Sequence, residues 1–202
     1  MSHEKIDFLL LAVSGKHSCG KDEAGTYLAD HYGMEHVTSS DFLRQEAAAQ
    51  GFKPPFAREL LGNIGDGLRK QYGSAPISRK LCEQYQSHQN DFPGGLAICG
   101  LSRVHEVENV HNSGGIVIFV DAPDNLRYDW LVRRSRDDHI SLQKFKEREA
   151  AEVNGTTPEG REGLWINGVR DRADIVIVND GSLDGFHQKI DEVMQSLPER
   201  AS

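Results

Sequence analysis

The sequence predicts an α/β domain in three layers, a parallel sheet of about five strands between two sets of helices. Two observations predict it. Short apolar runs at 6–13, 96–99, 116–120 and 175–178 are partly β-branched and lack polar alternation, which is how strands buried on both faces read. Between them lie segments with helical spacing at 23–32, 41–50, 57–72, 77–88, 104–112, 125–135, 142–153 and 183–197. Strands that alternate with helices pair in parallel, through right-handed crossovers that put helices on both faces. A weaker run at 35–38 is expected to supply the fifth strand.

In such sheets ligands bind beyond the carboxyl ends of the strands. The loops that follow the five runs are GKHSCGKD, SSDFLRQE, GLSRVHEV, DAPDNLRYD and NDGS, each rich in polar or small residues. The chemistry is expected there. No internal repeat, heptad run or low-complexity tract interrupts the pattern, so residues 1–202 are expected to form one domain. The stretch 154–167, NGTTPEGREGLWIN, has turn residues and reads as a loop outside the core.

Composition excludes several classes of function. The 202 residues are 38% hydrophobic, and 31 acidic residues against 23 Lys and Arg leave a net charge of −8, so general attraction to nucleic acid or anionic lipid is not expected. An anionic ligand must instead be captured locally. The apolar run from Phe8 to Val13 is too short to span a bilayer and lacks a basic flank; a cytoplasmic monomer or homodimer is expected. Cys19, Cys82 and Cys99 form no CxxC pair, which argues for free thiols rather than disulfides or structural zinc. The histidines fall without a metal-ligating spacing.

The first loop is the most specific feature. Gly15-Lys16-His17-Ser18-Cys19-Gly20-Lys21-Asp22 matches GxxxxGK directly after a strand and before a helix. Glycines let successive backbone N–H groups turn inward, the helix N-terminus adds positive potential, and Lys21 can follow the β and γ phosphates of a nucleotide. The P-loop therefore predicts a P-loop NTPase fold, with Glu23 opening the helix beside it. Asp22 stands where a Ser or Thr hydroxyl usually meets Mg²⁺, and a carboxylate can serve through oxygen. A GKD loop of this kind resembles those of phage deoxynucleoside monophosphate kinases and animal-type phosphomevalonate kinases.

Across nearly the whole chain, SSDFLRQEA, LRKQYG, GLSRVHEV, FVDAPDNLRYDWLVRRSRDD, FKEREAAE and ADIVIVNDGSLDGF occur in an order that resembles the nucleoside monophosphate kinase and dephospho-CoA kinase group. The resemblance implies an ATP- and Mg²⁺-dependent kinase with a small phosphorylated acceptor, preferably a (deoxy)nucleoside monophosphate, then dephospho-CoA or phosphomevalonate. It implies an acceptor-binding helical region at 42–92 and an arginine-rich lid at 127–165.

Asp41 matches the group's aspartate that activates the acceptor or holds the metal, although a Ser-Ser-Asp run before a helix is also an N-cap pattern. Arg44, one turn on and on the same face, resembles an acceptor-phosphate arginine; Arg69 and Arg103 are further candidates, as salt-bridging arginines also are. Relatives carry DGxRS after the third strand, whereas here Cys99 replaces the aspartate and Arg103 is displaced by one position. That shifts metal contact onto Asp22, Asp41 or Asp121. Arg127, Arg133, Arg134 and Arg136 are expected to close over phosphates as lid residues, Arg133 and Arg136 foremost, although a solvated basic helix face has the same pattern. Asn179 and Gly181 match the loop that borders adenine. Cys19, Asp22 and Cys99 also motivate a rival of another class, a regulator that binds nucleotide without transferring phosphate.

Overall fold

A computed structural model of the chain describes residues 6–134, 141–153 and 165–198. Five strands form one sheet: β1 (Leu10–Gly15), β2 (Met34–Thr38), β3 (Gly95–Cys99), β4 (Ile116–Asp121) and β5 (Ile175–Val178), in the spatial order β2-β3-β1-β4-β5. Every pairing is parallel. Helices α1 (Lys21–Tyr32), α2 (Ser39–Ala49), α3 (Arg58–Tyr72), α4 (Pro76–Gln86), α5 (Val104–Asn112), α6 (Asp124–Arg134), α7 (Leu142–Val153), α8 (Ile166–Arg170) and α9 (Leu183–Ser196) fill the connections.

Alternation along the strands sorts the core into two layers. Leu10, Ala12, Leu96, Ile98, Val117 and Phe119 face one cluster, which α2, α3, α4, α5 and α8 cover. Leu11, Val13, Ala97, Cys99, Ile118 and Val120 face the other, under α1 and α9. Both faces of β1, β3 and β4 are therefore buried, which is why those runs carry no polar alternation.

Boundaries differ from the sequence expectation where pairing, rather than hydropathy, decides. The run at 6–13 is paired only from Leu10, because the ladder to β3 begins at Leu10 opposite Leu96; Phe8 is buried without joining it, its ring 4.4 Å from that of Tyr85. At the other end the ladder to β4 carries β1 through Ser14 and Gly15, opposite Phe119 and Val120. Helix α4 stops at Gln86, and Ser87 caps it. Ile166 and Asn167, expected in a loop, instead open α8, whose residues Ile166 and Val169 are buried. The fold is the three-layer α/β/α arrangement with β1 at its centre, so the loop after β1 opens at the middle of the sheet's carboxyl edge.

Candidate active site

The loop from Gly15 to Lys21 bends through three residues of positive φ: Gly15 at 152°, Ser18 at 57° and Gly20 at 99°. Gly15 has no substitute here, since a Cβ on it would lie 2.2 Å from the Val120 carbonyl oxygen and 2.6 Å from Cys19 Sγ. Gly20 is the N-cap of α1 and contributes no side-chain bond to the helix end, so the first N–H groups of α1 are suited to an anion. Two side chains from outside hold the loop. Asn179 Nδ2 donates to the Cys19 carbonyl at 3.0 Å, and Arg127 Nη1 donates to the His17 carbonyl at 3.1 Å.

Gly15, His17, Lys21 and Asp22 line a cleft of about 660 Å³ together with Thr38, Ser39, Ser40, Asp41, Arg44 and Arg58. The structure thus brings the P-loop lysine and the α2 carboxylate to one cleft. Thr38 is the N-cap of α2: its Oγ1 accepts from the Asp41 backbone N–H at 2.9 Å. The capping role that the sequence also allowed for Asp41 belongs to Thr38. The Asp41 carboxylate accepts from the Thr38 hydroxyl at 2.8 Å and from Arg44 Nη1 at 2.5 Å, which orients it with little gain in stability because the Asp41–Arg44 pair is exposed.

An adjoining pocket of about 110 Å³ includes Ser39, Arg69, Ser102, Arg103 and Glu106. Arg69 Nη2 and Arg103 Nη2 converge on one oxygen of Asp66, at 2.7 and 3.1 Å. Two elements meet in this contact, with Asp66 and Arg69 on α3 and Arg103 as the N-cap of α5. Below it, Glu106 is 2% exposed and accepts from the Ile77 and Ser78 N–H groups at 3.1 and 2.8 Å and from the Ser78 hydroxyl at 2.6 Å. A carboxylate on the first turn of α4 satisfies donors the helix cannot. Sequence reasoning singled out neither residue: Asp66 lies outside the quoted motifs, and Glu106 was read only as part of GLSRVHEV.

Cys99 ends β3 and lines the cleft, and its Sγ donates to the Lys21 carbonyl at 3.4 Å. Full burial pushes its thiol well above the ordinary range, as does the Asp22 carboxylate; burial likewise raises Cys19. Both are neutral packing groups at neutral pH. At the end of β4, Asp121 lies 3.8 Å from Lys16 Nζ and 3.6 Å from Arg170 Nε. Arg170, on α8, was not among the sequence candidates, because α8 was not foreseen. Glu23 meets His187 at 3.0 Å, and a Cβ on Gly181 would meet nothing within 4 Å.

Of the four arginines of the basic cluster, the side chains of Arg127 and Arg133 are among the described residues, and they differ in placement. Arg127 is buried and bonded to protein atoms rather than presented to the cleft, a departure from the expected phosphate contact that follows from the carboxylates packed around it. Arg133 is exposed on α6. The Arg134 side chain, Arg136 and residues 135–140 and 154–164 of the expected lid lie outside the described residues.

His17 is an exposed loop residue whose ring is nevertheless crowded. Partial burial first, then the Lys21, Arg58 and Arg127 cations, lower its pKa from 6.5 to about 4, against a smaller opposing effect of Asp22. The unfolded state therefore binds a proton between pH 6.5 and 4 that the folded state does not. The contribution of His17 to stability is full above pH 6.5 and is lost as pH drops toward 4. Melting temperatures of the protein and of His17→Gln across pH 4–7 are expected to show a weaker pH dependence in the variant; parallel curves would contradict this.

No family model matches the chain. A UPF0200 protein of Sulfurisphaera tokodaii is 24% identical over 190 residues, spanning 93% of this chain and 97% of that one. Among solved structures, a shikimate kinase from Bacteroides thetaiotaomicron superposes with a TM-score of 0.59 at 11% identity, covering 93% of this chain and 99% of that one. A dephospho-CoA kinase from Campylobacter jejuni gives 0.51 at 18% identity, covering 92% and 95%. The fold is that of the P-loop kinases. Among the described residues no helix is long and apolar enough to cross a membrane.

Proposed function

We propose that this protein transfers the γ-phosphoryl group of ATP to a small phosphorylated metabolite, with a (deoxy)nucleoside monophosphate as the preferred acceptor and dephospho-CoA or a phosphomevalonate-type acceptor next. The observation that carries this reading is that Lys21 and the P-loop line one cleft together with Asp41 and Arg44. Kinases of the same fold support it.

In this reading an acceptor oxygen attacks the γ phosphorus, forming the new P–O bond while the bond to the β–γ bridging oxygen breaks and ADP leaves with the electron pair. An ionised phosphate acceptor has no proton to lose; a hydroxyl acceptor gives its proton to Asp41. Lys21 and the loop amides offset the charge on the transferred group and on ADP. Arg44 holds the acceptor, with Arg69 and Arg103 reaching it from the adjoining pocket.

Among the described residues no group of three or more His, Cys, Asp or Glu side chains could enclose a metal ion. Two carboxylates, Asp22 and Asp41, line the cleft, and that donor set suits Mg²⁺, which binds through one or two carboxylates plus substrate phosphates. When bound, the ion neutralises charge on the β and γ phosphates.

The buried thiol of Cys99, in the place of a strand-end carboxylate, favours a second reading, a regulator that binds ATP without transfer. ADP release, measured with MgATP across nucleoside monophosphates, dephospho-CoA and phosphomevalonate, separates the two. At least one acceptor is expected to raise ADP release about 10²-fold or more over ATP alone, within reach of ordinary kinase turnover. Nucleotide binding with no acceptor-dependent release would favour the regulator.

A further inference from the structure

Arg127 is the largest fully buried side chain among the described residues, at 0% exposure. A guanidinium has five N–H donors, and the geometry gives this one five bonds. Nε donates to the Ala122 carbonyl at 3.0 Å. Nη1 donates to the His17 carbonyl of the P-loop at 3.1 Å and to Glu149 Oε1. Nη2 donates to Asp124 Oδ1 at 2.6 Å and to Glu149 Oε2 at 2.9 Å. Burial by itself would lower the Arg127 pKa, but its bonds to Glu149 and Asp124 outweigh that and raise it, so the group stays charged. The Phe145 ring, also on α7, lies 5.5 Å from the guanidinium carbon.

The bond to His17 bears on the phosphate cradle through peptide geometry. A trans peptide is planar, and its C=O and N–H point in opposite directions. An arginine that holds the His17 carbonyl outward therefore directs the Ser18 N–H to the other side of the loop. Asn179 does the same two peptides further on, holding the Cys19 carbonyl and so directing the Gly20 N–H. Gly15 and Gly20 let the loop turn through positive φ, and the bonds from Arg127 and Asn179 fix two of its carbonyls from outside.

We infer that Arg127 is a positioning residue that sets the P-loop amides, and that Glu149 couples this setting to the docking of α7. The ligand half of the inference rests on the proposed nucleotide-binding reading; the loop half does not. Loss of Glu149 leaves Arg127 paired with Asp124, a carboxylate whose side chain is 63% exposed, and loosens the guanidinium that holds the loop. Because coupling is reciprocal, a ligand that orders the loop must also tighten α7.

The test is amide hydrogen exchange on the full chain, ligand-free and with MgATP, for the natural protein and for Glu149→Gln and Arg127→Lys. Ligand-free Glu149→Gln is expected to exchange faster at residues 16–20 while Leu10–Val13 in β1 stay protected. Its Kd for MgATP is expected to rise about 10-fold, within the usual range of site-to-site coupling. Arg127→Lys, with three donors on a single nitrogen, is expected to do the same or more. In the natural protein MgATP is expected to slow exchange at 142–153 as well as in the loop, which needs no variant to fold. Unchanged loop exchange in a folded Glu149→Gln, or nucleotide protection confined to the P-loop, would overturn the coupling. Failure of the natural protein to bind MgATP would instead overturn the kinase reading, and the ligand-free exchange would still decide the loop half.

Discussion

Replacement of Lys21 by alanine is expected to lower ATP-dependent turnover by about 10²–10³-fold while leaving the melting temperature nearly unchanged. Lys21 opens α1 and lines the cleft, and in the proposed reaction its ammonium offsets charge on the transferred phosphate. One preorganised charge or donor at a developing negative charge is worth about 10²–10³ in rate. Its side chain belongs to neither core cluster, and Cys99 bonds to its backbone carbonyl, which alanine retains. Stability and turnover should therefore separate. Near-normal turnover by the folded variant would remove the P-loop from the mechanism.

Asp41→Asn is expected to reduce kcat by about 10²-fold or more, with a much smaller rise in the KM for ATP. With a hydroxyl acceptor, general acid–base groups contribute about 10²–10⁴ in rate; with a phosphate acceptor Asp41 acts through the metal, and in either case a group that acts in the transition state lowers kcat rather than ATP affinity. The structure makes this variant a clean probe. Thr38, not Asp41, caps α2, and the bond from the residue 41 N–H to Thr38 Oγ1 survives in the amide. The exposed pairing with Arg44 loses charge but stabilises little. A variant that melts lower but turns over normally would mean that the Asp41 carboxylate serves the helix after all.

Much of the site was legible because it is local. GKHSCGKD carries its own turn chemistry, and the strand before and helix after it follow from hydrophobic period. Asp41 and Arg44 are three residues apart on one helix, so spacing alone places them side by side, and they meet at 2.5 Å. The order of strands and helices was legible for the same reason: a fully buried strand and an amphipathic helix each leave a periodic trace.

What was not legible depends on partners distant in sequence. Arg127 reads as one of four clustered arginines until Glu149, 22 residues further on, closes on it. Arg69 and Arg103 read as separate candidates until Asp66 joins them. Glu106 reads only as one letter of GLSRVHEV, and its role appears only when α4 lays its first turn against α5. Cys99 was legible as a missing carboxylate, but not as a thiol bonded to the Lys21 backbone.

The sequence by itself determined the layers, the parallel sheet, the phosphate loop and the α2 carboxylate, because periodicity and turn chemistry act over a few residues. Tertiary structure alone decided which charges face the cleft and which are drawn into it as structural ties. An arginine's fate depends on whether a carboxylate approaches it as the chain packs, and a buried charge persists only where such partners satisfy it; at Arg127 they do, and the cation expected at the phosphates became the support of the loop that would hold them.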